Sequence, residues 1–221
     1  MYSGHVAGAV YRLLELPQRF VILCPNHTGM GEPLAIMSGG AWQTPLGLCE
    51  VDEELAAELK RRMPLLSEDD QAHHSEHALE VQLPFLQILV PGFRFVPIAV
   101  GTRNFEVLSA LGVAIGNLLA QQNERALVIA SSDMNHYESD SVTRVKDRRA
   151  IDQLLARDPR GLYDVVRDAH ISMCGYGPAV AMLTAAHKLG ATQAELIRYA
   201  TSGDVSGDKD MVVGYAGIAV Y

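Results

Sequence analysis

Ala126-Leu127-Val128-Ile129-Ala130-Ser131-Ser132-Asp133-Met134-Asn135-His136 decides the class of this fold. Its first half is an unbroken apolar run, partly β-branched, which reads as a buried strand over Ala126 to Ser131. The strand ends in two hydroxyls, a carboxylate and an imidazole. In an open α/β sheet the functional groups gather outside the carboxyl ends of strands. Cys24-Pro25-Asn26-His27, His74-Ser75-Glu76-His77 and Met173-Cys174-Gly175-Tyr176-Gly177-Pro178 repeat the theme, at strand ends or at a helix start. Together they predict one shared pocket.

Outward from that stretch, strands and helices largely alternate. Val6 to Leu16 reads as a helix stopped by Pro17, and Arg19 to Cys24 as a buried strand. Asn26 to Pro33 is a loop, Leu34 to Ser38 a short strand, and Gly39 to Gly47 irregular because Gly39-Gly40 and Pro45 are breakers. Asp52 to Met63 is a helix capped by Asp52, with Glu53 and Glu54 at its positive start. Leu65 to Glu76 is a polar loop. His77 to Val90 is helical, with a kink or a later start at Pro84. Phe93 to Val100 is a strand that Pro97 assigns to an edge or a bulge.

Phe105 to Ala120 is the next helix, and Ser139 to Leu155 a polar, exposed one. Gly161 to Ala169 is short, and Gly177 to Leu189 is Ala-rich and buried. Leu196 to Thr201 and Val212 to Tyr221 are the closing strands. The expected class is α/β: a single-domain α/β/α sandwich over 1–221 around a mixed, largely buried sheet. No repeat or linker divides it.

Composition supports a large core: 48% of the 221 residues are apolar and 20% charged. A formal charge of −8 and a pI of about 5.4 argue against nucleic acid or an anionic membrane surface as partner. The three cysteines, Cys24, Cys49 and Cys174, are odd in number and unclustered, which suits a reducing compartment. Apolar runs are too short to span a bilayer. The start lacks a secretory pattern, so a cytoplasmic location is expected.

Each candidate residue has a functional and a plain reading. His27 is a ligand at the pocket mouth or a loop histidine bonded to backbone. Asp133 and His136 stand three apart, a spacing that brings them to one face of a helical turn. There they suit acid–base work; otherwise Ser132 or Asp133 caps a following helix. Cys174, near a helix start, is a favoured thiolate or an apolar filler. Cys24 reads as core, and Cys49 has no assignment. His77 and Glu80 form a pair suited to support a ligand, while His73 and His74 read as solvated. Ser202-Gly203-Asp204 lines the pocket or is only a turn. No serine elbow, phosphate loop or dinucleotide fingerprint is present.

Six pieces together resemble the Memo family, often named AmmeMemoRadiSam system protein B in bacteria and archaea. They are Pro25-Asn26-His27, Gln43-Thr44-Pro45-Leu46, Glu76-His77-x-x-Glu80-x-x-Leu83-Pro84, Ser131-Ser132-Asp133-x-x-His136, Cys174-Gly175-x-x-Pro178 and Tyr215-Ala216-Gly217. The resemblance covers essentially the whole chain. It implies a fold similar to class III (LigB-like) extradiol dioxygenases, which use non-haem Fe(II). It also implies a metal site of two His and one Cys, in which His27 and Cys174 match ligands and Asp133 and His136 the polar pair beside the metal. The family's other His lies just ahead of a Tyr-Ser-Gly. Here Tyr2-Ser3-Gly4 follows Met1 directly. The expectation is therefore a chain without the family's N-terminal segment and at least one of its strands, and with weak or absent metal.

Two functions follow. One is a metal-dependent redox enzyme in which His136 and Asp133 move protons; Fe(II) is preferred, and the thiolate also suits Cu or Zn. The other is a non-catalytic accessory protein holding a small molecule or peptide. The resemblance implies radical S-adenosylmethionine (radical SAM) and AMMECR-like proteins as its partners.

Overall fold

The computed structural model describes residues 2–221. The chain runs α1 Gly4–Leu13, β1 Arg19–Pro25, β2 Leu34–Ile36, β3 Ala41–Thr44, β4 Gly47–Val51, α2 Glu53–Arg62, β5 Ser67–Glu68, α3 Gln71–His74, α4 His77–Glu80 and α5 Leu83–Leu89. It continues through β6 Arg94–Val100, α6 Phe105–Leu119, β7 Ala126–Ala130, β8 His136–Glu138, α7 Asp140–Ala156, α8 Pro159–Asp168, α9 Tyr176–Lys188, β9 Ala194–Thr201, α10 Gly203–Ser206 and β10 Val212–Val220.

Strand β1 is the hub. It pairs in parallel with β6 on one side and β7 on the other. All seven of its residues are buried, as burial on both faces requires. Its alternate side chains feed two cores. Val21 and Leu23 join Val96, Ile98 and the α2, α6 and α9 layer; Phe20, Ile22 and Cys24 join Phe93, Phe95 and the α5 side. The mixed α/β class thus holds, with helices on both faces.

The main sheet has seven strands, in the order β3-β4-β6-β1-β7, with β2 and β5 off that path. Strands β8-β10-β9 form a separate antiparallel sheet of three, where the sequence suggested one sheet.

Pro97 is not on an edge strand. β6 is central, with β1 along one side. On the other side β4 pairs with Arg94 and Phe95, and β2 with Ile98 to Val100. The Asp52 N–H donates to the Phe95 carbonyl at 2.9 Å on that second side. Alternate residues face alike, so Pro97 turns its hydrogen-less nitrogen to the gap between β4 and β2. No ladder bond is lost there.

The expected helix over His77 to Val90 divides into α4 and α5, and Pro84 sits in the first turn of α5, where its missing N–H costs nothing. The polar helix α7 is not simply exposed: Thr143, Asp147, Ala150, Ile151 and Leu154 form a buried stripe. The segment expected to be irregular begins a hairpin, β3–β4. His73, expected in solvent, is buried edge-on to Trp42, and neither ring nitrogen has a hydrogen-bond partner. Its helix α3 turns Ala72 and His73 inward and leaves His74 exposed. No helix among the described residues is long and apolar enough to cross a membrane.

Candidate functional site

His27 stands just past the end of β1 and is fixed by a buried carboxylate. Its backbone N–H donates to Glu76 Oε2 at 2.6 Å, and its Nδ1 lies 3.0 Å from both carboxylate oxygens. Glu76 also accepts the Ala78 N–H at 2.9 Å and so caps α4. Burial opposes its charge, yet the bonds from His27 and Ala78 outweigh that and hold its carboxyl below the ordinary range. With Nδ1 engaged, Nε2 remains the free ring atom. His77 and Glu80 instead bond each other at 2.7 Å on the surface.

At the end of β7, the Ser131 hydroxyl donates to the Ala78 carbonyl at 2.5 Å and accepts from Gln82 at 2.8 Å. Gln82 in turn accepts from the Tyr11 hydroxyl at 2.8 Å. Tyr11 and Gln82 escaped the sequence reading, because contacts between distant helices leave no local pattern.

Gly175 brings the Cys174 segment against this strand end: a Cβ there would lie 2.5 Å from the Ser131 carbonyl oxygen. The Cys174 sulfur accepts the Asp133 N–H at 3.1 Å and lies 3.8 Å from the Ser132 hydroxyl. Of the two readings of Cys174, burial disfavours the thiolate. Burial pushes the thiol pKa up, and the bond from Asp133 N–H offsets only part of that. Cys24 and Cys49 are buried, and burial pushes the Cys49 thiol up to about 11.

Asp133 and His136 do meet, although not on a helix. Residues 131–135 form a loop, and His136 opens β8. Asn135 holds the loop: its N–H donates to Asp147 at 2.8 Å, and its side-chain oxygen accepts the Ser172 N–H at 3.1 Å. The His136 Nδ1 then donates to the Ser172 carbonyl at 2.8 Å, and Nε2 lies 3.8 Å from Asp133. Behind them, burial raises the Asp147 carboxyl to about 6 although Tyr199 and Asn135 donate to it. Gly214 makes room for it: a Cβ there would clash with the Asp147 carboxylate.

His27, Glu76, Ser132, Asp133 and Cys174 share one end of a cavity of about 630 Å³. His136 and Glu80 are not among its walls; His136 reaches it only through Asp133. The Ser202-Gly203-Asp204 loop lies elsewhere, with Asp204 bonded to Arg144 and Lys209.

A family model described as Memo-like protein matches residues 1–219. The chain belongs to the Memo-like family. This Memo-like chain is 44% identical over 219 residues to a MEMO1 family protein of Methanothermobacter thermautotrophicus, covering 98% of this chain and 79% of that one. It is 45% identical over 221 residues to one of Methanosarcina mazei, covering 100% and 82%. A crystal structure of an uncharacterised Escherichia coli K12 protein shares the fold, with a TM-score of 0.63, 12% identity, and 95% and 90% of the two chains covered.

Two donors, His27 Nε2 and the Cys174 sulfur, belong to residues of the cavity's polar end. Among the described residues no three His, Cys, Asp or Glu side chains are grouped to hold an ion. As it stands this set does not fit a non-haem Fe(II) site, which takes two His and a carboxylate.

The dyad of the Memo-like chain makes a prediction of its own. Asp133 raises the His136 pKa; burial opposes this, and the bond to Ser172 adds to it. Titration by NMR should place the His136 midpoint above the usual imidazole value, and Asp133→Asn should lower it. An unmoved midpoint would mean that the 3.8 Å pair has no electrostatic weight.

Proposed function

We propose that this Memo-like chain works by binding: its cavity holds a small molecule or peptide with an apolar body and a polar head. One observation carries the reading. The polar candidates gather at one end of the cavity, and most of the remaining wall is apolar, with Val10, Ile129, Met182 and Ile218 beside the polar Ser3, Tyr11 and Gln82. Few polar groups in an apolar cleft of this size are the usual plan of a ligand site. The head would meet His27 Nε2, an acceptor once Nδ1–H donates to Glu76, and would lie beside Ser132 and the protonated Cys174. The Asp133–His136 pair would set the charge beside it. In that role the chain is an accessory protein, and a radical SAM enzyme and an AMMECR-like protein are the partners to test by pull-down.

Anilinonaphthalene sulfonate is a suitable probe, because it joins an apolar body to an anionic head. One saturable site is expected. Ala216→Phe, which fills the cavity from its β10 wall, should weaken it at least about tenfold, a loss of about 1.4 kcal/mol. An unchanged affinity would place the probe elsewhere and end this reading.

The metalloenzyme reading keeps one observation in its favour. A carboxylate that fixes one ring nitrogen, as Glu76 does for His27, is the common support of a metal-bound histidine. Two donors give weak binding, so Zn²⁺ titrated by calorimetry should show a dissociation constant no tighter than about 1 µM. Tight, stoichiometric uptake of Zn²⁺ would restore a metalloenzyme as the leading function, and tight uptake of Fe²⁺ a redox enzyme.

A further inference from the structure

His136 stands between two carboxylates. Asp133 belongs to the cavity wall and lies 3.8 Å from Nε2. Asp147 of α7 lies on the inner side, one peptide away, where its Oδ1 accepts the Asn135 N–H at 2.8 Å. The sequence motif holds only the first of the two, because Asp147 is joined to the loop across 12 positions.

Asp147 is fully buried. Few charged or titratable groups face it. Tyr199 of β9 donates its hydroxyl to Oδ2 at 2.7 Å, His136 approaches from β8, and Arg144 lies about one turn back on α7. Arg144 is engaged elsewhere: it pairs with Asp140 and Asp204, and its guanidinium lies over the Tyr199 ring. Glu138, the acid of β8, is matched by Lys146. β10 presents only the backbone of Gly214, where any Cβ would strike the carboxylate. A carboxylate buried without a paired cation is unfavourable, and one set against a candidate site is a candidate for a role there.

The geometry supplies two ways to act. The first is mechanical. The Gly214 N–H donates to the Asn135 carbonyl and the Met134 N–H to the Gly214 carbonyl, each at 2.9 Å, while Asp147 takes the Asn135 N–H. The next residue is His136, whose N–H and Nδ1 are both held by Ser172. The path of the loop, and with it the meeting of Asp133 and His136, is therefore anchored on Asp147. The second is electrostatic. Asp133 is the main cause that raises the His136 ring above the ordinary imidazole value, and Asp147 adds to it from behind. In return His136 eases the ionisation of the Asp147 carboxyl, which burial raises to about 6. Groups coupled in this way release their protons in steps that belong to the pair.

We propose that Asp147 is the third member of this acid–base cluster, a positioning residue that anchors the Asn135 loop and, by its charge, sets how firmly His136 holds its proton. The role goes beyond the binding reading above: it fixes the charge offered beside the cavity rather than what fills it.

Two variants test it, both followed by NMR. Asp147→Asn keeps an acceptor for the Asn135 N–H and removes the charge. The Asn135 amide should stay protected from exchange, while the midpoint of the His136 ring falls by at least about half a pH unit. His136→Gln removes the other charge, and the midpoint of the Asp147 carboxyl carbon should rise by a comparable amount, because coupling between two sites is mutual. Should Asp147→Asn fail to fold, the His136→Gln arm decides alone. An unmoved midpoint in either variant would overturn the proposal. So would a fall of the His136 midpoint that comes only with loss of Asn135 protection, because it would mark Asp147 as a purely structural residue.

Discussion

Asp52→Ala should lower the stability of this chain by about 3–5 kcal/mol, read as a fall in the urea midpoint with an unchanged slope. Asp52 is fully buried, and Arg19, at the start of β1, is nearly so. The Arg19 Nε–H donates to Oδ2 at 2.6 Å and the NH2 group to Oδ1 at 2.9 Å, a two-pronged pair. The same carboxylate caps α2 through the Leu55 N–H at 3.2 Å. Burial opposes its charge, but Arg19 and Leu55 outweigh that and hold its carboxyl below the ordinary range. Alanine removes the cap and leaves a buried guanidinium with only Gln122 and the exposed Glu124 near it. The companion measurement is Arg19→Met in the Asp52→Ala background. With no buried charge left over, that second change should cost much less than Arg19→Met alone. Additive costs would show that the two side chains do not act as a pair.

Glu76→Ala should cost about 3 kcal/mol at neutral pH, because it strands two backbone donors and releases a ring. The orphans are the N–H groups of His27 and Ala78, and the ring is that of His27. The effect has a definite sign with pH. The folded carboxyl lies below its unfolded value of 4.5, so the native state releases that proton more readily. Its contribution is complete above the unfolded value and is lost as pH falls through the folded one. Denaturation curves between neutral and acidic pH should therefore show a shallower acid decline for Glu76→Ala than for the unaltered chain. Equal slopes would mean that this carboxylate carries no proton linkage. Glu76→Gln keeps an acceptor without the charge and should fall between the two.

Where the chain alone revealed the structure, the reason is local. β1 and β7 are unbroken apolar runs bounded by breakers, and α2 announces itself through Asp52 and its acidic first turn. The hairpin β3–β4 stayed hidden because Gly39-Gly40 and Pro45 look like breakers, although Pro45 serves a turn closed by Gly47 at φ 122°. Strand β8 is three residues long and carries no periodicity. The candidate residues at strand ends were visible as a recurring pattern. The role of Glu76 was not, because its partner lies 49 positions away. The helical spacing of Asp133 and His136 brought the correct pair together for the wrong reason, since a loop pinned by Asn135 joins them.

His73 and Trp42 give the molecule an optical gauge of its own acid limit. The chain has a single tryptophan, and its ring centroid lies 5.5 Å from that of the buried imidazole. Burial lowers the His73 pKa to about 4, against 6.5 in the open chain, so between those values the open chain takes up a proton that the fold refuses. Acidification across that interval lowers the stability of the fold through His73, three residues before the carboxylate that aligns His27. Tryptophan emission thus watches, without any added label, the corner of the protein beside the carboxylate that holds His27.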